Sequence, residues 1–213
     1  MLISKKNKFI FIHIPKTAGT SLRAMLYPYT EARPGLINFL IRRINKLVRF
    51  NFLFFWRTYD AHTTLEQLYN FIPEKKIKAH HKFCVVRNPY SRLVSFYEHI
   101  LRNKHHPWHT KIADYGSFEV MVDNLHNVGE PSQNSYIKDK LGEINIDQIL
   151  FFESLSEQID LLSKRLVIPI KLVHKNSGKR SKKWQSYYNS IIAKKVYDHY
   201  KEDFDLFNYT SNI

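Results

Sequence analysis

The chain has 213 residues and a mass of 25.5 kDa, which predicts one compact domain that needs neither disulfides nor a structural metal. Hydrophobic residues at 44% and aromatic residues at 15% exclude an intrinsically disordered chain. The net charge of +14 indicates an anionic partner: nucleic acid, an anionic membrane surface, a phosphorylated cofactor or an acidic glycan. Cys84 is the single cysteine, which excludes an internal disulfide framework and a cysteine-rich zinc site.

Neither a signal sequence nor a membrane-spanning helix is predicted, so we expect a cytoplasmic protein. The apolar stretch after Lys8 is too short for a signal, and four basic residues interrupt the most apolar stretch, residues 36–56. That stretch belongs to a basic and apolar insertion at 31–57. It has three open interpretations: a core helix with snorkelling arginines, a lid over an acceptor, or an anchor at the inner membrane face.

The first elements in the chain are a strand and two helices. Residues 9–14 form a short apolar run rich in β-branched and aromatic residues, which predicts a buried strand ending at Pro15. A helix is predicted from Thr20. A second helix is predicted to begin at Thr63, because Thr63 and Glu66 fit a capping box.

A second strand and a long helix are predicted in the middle of the chain. Residues 82–86, KFCVV, are apolar after Lys82 and predict a buried strand. Asn88 and Pro89 supply an N-cap and a first-turn proline for a helix that runs to Leu101. The histidine-rich residues 102–111 predict a loop.

The last part of the chain repeats the pattern of strand, turn and helix. A helix is predicted at 117–125, a third strand at 148–152, and a helix opened by a capping box of Ser154 and Glu157. A final helix is predicted at 185–203. Three such repeats favour an α/β domain, with a parallel sheet flanked by helices, that spans residues 1–213 without a linker.

The segment between the first strand and its helix has the composition of an anion-binding loop. Small residues at 15–21 let backbone N–H groups approach an anion, and the helix N-terminus adds partial positive charge. Lys16 can reach a phosphate, while Thr17, Thr20 and Ser21 offer hydroxyl groups. The alternative is an ordinary turn between strand and helix. The spacing differs from a nucleotide triphosphatase P-loop.

A second candidate anion loop begins at Arg87, where the second strand ends. Ligands of open α/β sheets bind at the carboxyl ends of strands. Ser95 lies about two helical turns further on and can share one face with Ser91 and Arg92. A guanidinium and a hydroxyl group suit a terminal phosphate. Alternatively, Arg87 is a surface residue paired with a carboxylate.

Together the two loops resemble those of a known family. FIHIPKTAGTSLRAML and KFCVVRNPYSRLVSFYEH resemble the 5′-phosphosulfate and 3′-phosphate loops of sulfotransferases that use 3′-phosphoadenosine 5′-phosphosulfate (PAPS). The carbohydrate sulfotransferases, which include heparan-sulfate 2-O-sulfotransferases and bacterial members, are the most similar group. Further segments, DAHTTLEQL, PSQNSYIKD, ILFFESL, LVHKNSG and YKEDFDLFNY, resemble that family in the same order. The insertion at 31–57 has no counterpart.

The resemblance implies a P-loop-like fold. It also implies transfer of a sulfuryl group from PAPS to a hydroxyl group of a carbohydrate acceptor. That acceptor is a polysaccharide, an oligosaccharide or a lipid-linked glycan. The late basic loop at 174–183 is implied to close over the adenosine bisphosphate, although a solvated charge run is the competing interpretation. The implied cofactor-binding residues are Lys16, Thr17, Ala18, Gly19, Thr20, Ser21, Arg87, Ser95, Lys175, Asn176 and Ser177. Gln133 and Asn134 are weaker candidates for contact with acceptor or cofactor.

His62 and Lys16 are the predicted catalytic residues. The transfer needs a base of near-neutral pKa, and the resemblance places that base in the segment of His62. Lys16 is expected to neutralise charge on the leaving oxygen. Alternatively, His62 bonds its own backbone at a helix N-terminus. The histidine loop offers no helical histidine pair or cysteine, and we expect no metal.

Two other functions stay open from sequence alone. A P-loop kinase-like phosphotransferase would need Mg²⁺ ligands, but no acidic residue follows a strand as a Walker-B aspartate does. A basic nucleic-acid-binding protein is supported by charge and aromatic content alone, because no RNA-binding string, zinc finger or basic recognition helix is present. We therefore expect no nucleic acid partner.

Overall fold

The structure is a computed structural model that describes residues 1–30, 61–170 and 183–213. The insertion at 31–57 lies outside the described residues, and so do Lys175, Asn176 and Ser177 of the late basic loop. The three interpretations of 36–56 and the role of the late loop therefore stay predictions. In the described part of the chain, no helix is both long and apolar enough to cross a membrane.

A four-stranded sheet forms the centre of the molecule. Its strands lie in the order β1 (Leu2–Ser4), β2 (Phe9–Ile12), β3 (His81–Val86) and β4 (Gln148–Phe151). The last three are mutually parallel, which confirms the predicted α/β fold, and β1 pairs with β2 in antiparallel orientation. Strand β1 was not predicted, because three residues carry too little periodicity. Strand β2 ends two residues before the predicted end of the 9–14 run.

The helices lie between and after the strands. Those that the structure describes are α1 (Gly19–Leu26), α2 (Leu65–Tyr69), α3 (Glu74–Lys78), α4 (Pro89–Arg102), α5 (His109–Asp114), α6 (Phe118–Asp123), α7 (Leu125–Val128), α8 (Leu155–Leu166), α9 (Ser190–His199) and α10 (Lys201–Leu206). Short 3₁₀ turns span Tyr27–Tyr29, Asn134–Tyr136, Phe152–Ser154 and Trp184–Tyr187.

Helices cover both faces of the sheet, which explains why the side chains of its strands are mostly apolar on both faces. Successive residues of a strand point to opposite faces. Phe11 and Phe83 pack in one core cluster with α1 and α8, whereas Ile12 and Val86 pack in another with α2 and α3. The ring centroids of Phe11 and Phe83, which are register partners, lie 5.4 Å apart.

A third core cluster anchors α4 against α5, α6, α9 and α10. Tyr90 is fully buried there, and its hydroxyl donates to the carbonyl of Ser211 at 2.8 Å. Asn88 caps α4 as predicted, since its side chain accepts from the N–H groups of Tyr90 and Ser91. Because α4 is held along its length, the residues that precede and open it have a defined position.

The predicted capping boxes were wrong in detail. The box of the second helix uses Thr64 and Gln67 instead of Thr63 and Glu66, because burial of Leu65 sets the start of α2 one residue later. Ser154 makes no capping hydrogen bond to the backbone. Its hydroxyl oxygen instead accepts from the Gln158 side chain at 2.7 Å.

Two predicted helices are divided. Ser117 caps α6 as predicted, but α6 ends at Asp123 and α7 follows. The predicted final helix 185–203 is a 3₁₀ turn followed by α9 and α10. Asn189 starts α9 by accepting from Ile192 N–H at 2.9 Å. The predicted histidine loop is shorter than 102–111, because α5 begins at His109.

Candidate functional site

The first loop turns sharply between β2 and α1. Lys16 and Ala18 both adopt left-handed backbone conformations with φ of 66°, and Thr17 between them does not. Alternation of this kind turns successive N–H groups toward one side and forms an anion-binding concavity. Helix α1 begins at Gly19 without an acidic residue in its first turn, so the positive end of its dipole is not neutralised there. The backbone geometry suits an anion.

Two small residues brace this loop. Thr17 is buried, and its hydroxyl donates to the carbonyl of Ile14 at 2.9 Å, so that hydroxyl stabilises the turn. Gly19 packs against the imidazole of His13. A Cβ atom on Gly19 would lie 1.7 Å from the Cδ2 atom of that ring, so the position has room for glycine alone.

Arg87 connects the second loop to the first. Its side chain is 3% exposed. Its Nε donates to Ser91 Oγ at 2.7 Å, and its Nη1 donates to the carbonyl of Lys16 at 3.1 Å. The guanidinium carbon also lies 4.2 Å from the centre of the Phe152 ring, a cation–π contact. These contacts bring the two predicted anion loops together.

Arg92, one helical turn into α4, is a second connection between the loops. Its Nε donates to the carbonyl of Pro15 at 3.1 Å, and its Nη2 donates to the Glu130 carboxylate and to the carbonyl of Pro131. Glu130 is buried, which raises the pKa of its carboxyl group, while the charge of Arg92 opposes that rise. Arg92 thus holds the first loop in place.

Gln133 holds the backbone of Arg87. Its side-chain oxygen accepts from Arg87 N–H at 2.9 Å, and its side-chain nitrogen donates to the Arg87 carbonyl at 2.8 Å. The carboxylate of Asp203 in turn accepts from the N–H groups of Gln133 and Asn134. The sequence made Gln133 and Asn134 weak candidates for ligand contact. In the structure both are buried, and Gln133 supports Arg87 from behind.

Both loops line one cavity of about 830 Å³. The predicted site residues on its wall are Lys16, Ala18, Gly19, Thr20, Ser21, His62, Arg87 and Ser95. Thr17 lies behind the loop and does not line the cavity. The structure therefore brings together nearly all the described residues that the sequence singled out.

His62 stands at this cavity with a defined tautomer. Its Nδ1 lies 3.1 Å from the carbonyl oxygen of His13. Because a carbonyl can only accept, Nδ1 carries the proton in the neutral ring and Nε2 holds the lone pair. Partial burial lowers the pKa of His62, and the bond to the His13 carbonyl opposes that effect. The expectation that His62 bonds its own helix backbone is wrong, because the carbonyl is 49 residues away.

His13, which the sequence placed in a strand, lies just beyond the end of β2 and forms part of the cavity wall. Its ring centroid is 4.5 Å from that of His62. Burial lowers the pKa of His13 to about 2, and neighbouring positive charge adds to the effect. His13 is therefore neutral throughout the physiological range.

Comparison with known proteins identifies the family. A family model described as "Sulfotransferase family" matches residues 1–210 of the chain. The chain belongs to the sulfotransferase family. No curated protein and no solved structure shows a significant match to it.

Membership of the sulfotransferase family establishes the general chemistry. The protein is a transferase that moves a sulfuryl group to an acceptor substrate, and sulfotransferases generally use PAPS as the donor. The predicted sulfotransferase resemblance is confirmed. The kinase-like and nucleic-acid-binding alternatives are disfavoured.

Several cavity residues of this sulfotransferase were not predicted as site residues. Phe96, His99 and Ile100 come from α4, and His106 and Trp108 come from the segment between α4 and α5. The aromatic character of that segment was the available signal. Among residues 1–30, 61–170 and 183–213, no group of three or more His, Cys, Asp or Glu side chains is placed to hold a metal ion.

Proposed function

We propose that this sulfotransferase moves the sulfuryl group of PAPS to a hydroxyl group of a carbohydrate and releases adenosine 3′,5′-bisphosphate (PAP). The observation that carries the proposal is the hydrogen bond from Arg87 to the Lys16 carbonyl, which joins two anion loops at one cavity. PAPS carries anionic groups at both its 5′ and 3′ ends. Two cationic loops within a single cavity match that charge distribution.

The residues present fit such a donor. The 5′ end would be held by Lys16, by the N–H groups from Ala18 to Thr20 and by the hydroxyl groups of Thr20 and Ser21. Thr17 would support this end of the site from behind, because its hydroxyl group bonds to the Ile14 carbonyl and holds the turn. Arg87 and Ser95 would hold the 3′-phosphate. Lys175, Asn176 and Ser177 stay candidates from sequence for a further part of this site.

His62 acts as the general base in this proposal. Its Nε2 lone pair is available because Nδ1 faces the His13 carbonyl, and its lowered pKa keeps the ring neutral at pH 7. The neutral imidazole accepts the proton of the attacking hydroxyl group. The imidazolium that results is stabilised by the same carbonyl, since an N–H donor that gains positive charge forms a stronger hydrogen bond.

Lys16 stabilises charge on the leaving group. Bound PAPS supplies an activated sulfuryl group on a phosphate, and the transfer leaves negative charge on that phosphate. The Lys16 ammonium lies on the same loop as the helix N-terminus, so both stabilise this charge. No proton has to move to Lys16 for this effect.

Titration calorimetry, run in parallel with and without Mg²⁺, tests the donor assignment against the two disfavoured alternatives. The ligands are PAP, ATP and a mixed-sequence oligonucleotide. We expect the purified protein to bind PAP in preference to ATP, and to bind the oligonucleotide weakly and with strong salt dependence. Preference for ATP with Mg²⁺, or tight binding of the oligonucleotide alone, would refute the proposal.

The carbohydrate acceptor is supported by the resemblance of the sequence to carbohydrate sulfotransferases. Mass spectrometry of glycans from cells with and without this protein tests it. We expect a sulfate ester on a glycan only in cells that contain the active protein. A sulfated small molecule in place of a sulfated glycan would disprove the carbohydrate part of the proposal and leave sulfuryl transfer intact.

We also propose that the enzyme is cytoplasmic and that residues 36–56, which lie outside the described residues, contact the anionic inner face of the membrane. The support is the mixture of basic and apolar side chains in that stretch. Flotation with anionic liposomes at low and high salt tests it. Failure to float at either salt concentration would contradict membrane contact and would not affect the proposed reaction.

A further inference from the structure

One wall of the cavity consists of aromatic and imidazole side chains. Helix α4 contributes Phe96, His99 and Ile100, and the following segment contributes His106 and Trp108. We call these five residues the aromatic wall. In the described part of the chain, none of the residues proposed to hold PAPS belongs to it.

The aromatic wall has a fixed geometry. The ring centroid of Trp108 lies 5.6 Å from that of Phe96 in an edge-to-face contact, and the His106 ring lies 6.1 Å from Trp108. His99 and His106 approach each other edge to face at 6.0 Å. Such contacts favour one ring orientation, so the wall is preorganised for a ligand.

The wall presents imidazole nitrogens for hydrogen bonding. Nδ1 of His106 accepts from the N–H of Trp108 at 3.1 Å, which leaves Nε2 as the N–H donor of that ring. Burial lowers the pKa of His99, and the positive charges of Lys16 and Arg102 lower it further, so this ring is neutral at pH 7. None of the five wall residues is a lysine, an arginine or a carboxylic acid.

The wall lies in the same cavity as the residues proposed to act on the reacting groups. Lys16 and His62 line that cavity together with the five wall residues. Along α4, His99 is one helical turn, about 6 Å, beyond Ser95. An acceptor bound at the wall therefore shares one cavity with the donor and with His62.

We propose that the aromatic wall is the acceptor subsite and that it binds an uncharged sugar ring. This inference rests on the proposed function, since it names the kind of carbohydrate that the same cavity accepts. The apolar face of the ring packs on Trp108, and its hydroxyl groups bond to His99 and His106. A uronate or a sulfated sugar would lose hydration at this wall, where none of the five residues is a lysine or an arginine that could pair with it.

Saturation-transfer NMR with PAP-saturated protein tests the inference. One panel holds neutral oligosaccharides of glucose, galactose, mannose and N-acetylhexosamines, and the other holds uronic-acid oligosaccharides of equal length. We expect transfer to members of the neutral panel. We expect the Trp108→Ala variant to bind those sugars about tenfold or more weakly, and Trp108→Phe to retain part of the affinity.

His105→Ala is the matched control, because His105 is exposed in the same segment and does not line the cavity. It should leave sugar binding unchanged. Calorimetry with PAP distinguishes failure of the acceptor inference from failure of the proposed function. It also shows whether each variant is folded, because only a folded protein binds PAP. Normal PAP affinity in Trp108→Ala with lost sugar binding supports the subsite, whereas failure of the unaltered protein to bind PAP would refute the proposed function itself.

Three results would overturn the acceptor inference while leaving the proposed function intact. The first is saturation transfer only to the uronic-acid panel or to neither panel. The second is neutral-sugar binding that Trp108→Ala does not change. The third is loss of PAP affinity in Trp108→Ala and Trp108→Phe, with normal affinity in His105→Ala, which would assign the wall to the adenine ring.

Discussion

The guanidinium of Arg87 donates a hydrogen bond to the backbone carbonyl of Lys16 at 3.1 Å. The two residues are 71 positions apart and follow two neighbouring parallel strands. Because both strands end at the same edge of the sheet, their loops meet there. A second arginine, Arg92, makes the same kind of contact with the carbonyl of Pro15. The first loop is thus held by two arginines from the second.

Replacement of Arg87 by alanine is expected to weaken PAP binding about ten- to hundredfold, because a charge-assisted contact to the phosphate and the contact to Lys16 are both lost. Titration calorimetry measures the affinity. Arg102→Ala is the control, since Arg102 is exposed at the far end of the same helix. Equal PAP affinity in the Arg87 variant and the unaltered protein would rule out Arg87 as a cofactor residue.

Replacement of His62 by alanine is expected to lower kcat about 10²- to 10⁴-fold, which is the range for loss of a general base. PAP affinity should stay within about twofold, because His62 is assigned to the acceptor proton and not to the donor. Single-turnover kinetics and calorimetry give the two values. The control is His105→Ala. A variant of His62 that keeps normal kcat would show that another group takes the proton.

The pH dependence of turnover follows from the pKa of His62. Only the neutral ring can accept a proton, so activity should rise with pH through the pKa of His62 and then level off. Burial lowers that pKa below the usual value of about 6.5, so the half-maximal rate should lie below pH 6.5. The profile of kcat/KM measures this. A rise that continues above pH 8 would assign the base to a different group.

His13 should make the fold sensitive to acid. Its pKa is about 2 in the folded protein and near 6.5 in the unfolded chain, so the unfolded state binds the proton first as pH falls. Its contribution to stability is therefore complete above pH 6.5 and is lost progressively below it. Between pH 6.5 and pH 5 the loss from His13 is about 2 kcal/mol.

Urea denaturation of the unaltered protein and of His13→Gln at both pH values measures this loss. The difference between the two proteins isolates His13, because the carboxyl groups titrate in both. We expect the variant to lose less stability than the unaltered protein between these pH values. Parallel losses in the two proteins would show that His13 does not titrate between the folded and unfolded states.

Gln133 should contribute both to the free energy of unfolding and to PAP binding. Its replacement by leucine removes both hydrogen bonds to the backbone of Arg87 and leaves a buried N–H and carbonyl without those partners. We expect a loss of about 1–3 kcal/mol in the free energy of unfolding and weaker PAP binding. Gln185→Leu, at an exposed position, is the control. Unchanged PAP affinity would mean that Arg87 keeps its position without Gln133.

Local signals in the sequence predicted much of the fold. The runs at 9–14 and 82–86 contain the strands β2 and β3, because a strand with apolar side chains on both faces is stable only between two layers of helices. Asn88 and Pro89 predicted the start of α4 correctly, since a cap and a first-turn proline act within a few residues. Strand β1 was missed because its pairing with β2 stabilises a segment that has no signal of its own.

Composition and loop spacing by themselves predicted two anion-binding segments at the ends of buried strands, because backbone turns, helix starts and side-chain charge are local properties. The tertiary structure alone decided that the segments line one cavity, that Gln133 supports Arg87, and that Trp108 stands in the cavity wall. Those relationships depend on contacts between residues far apart in sequence. The packing of the sheet and helices sets such distances, and no local pattern encodes them.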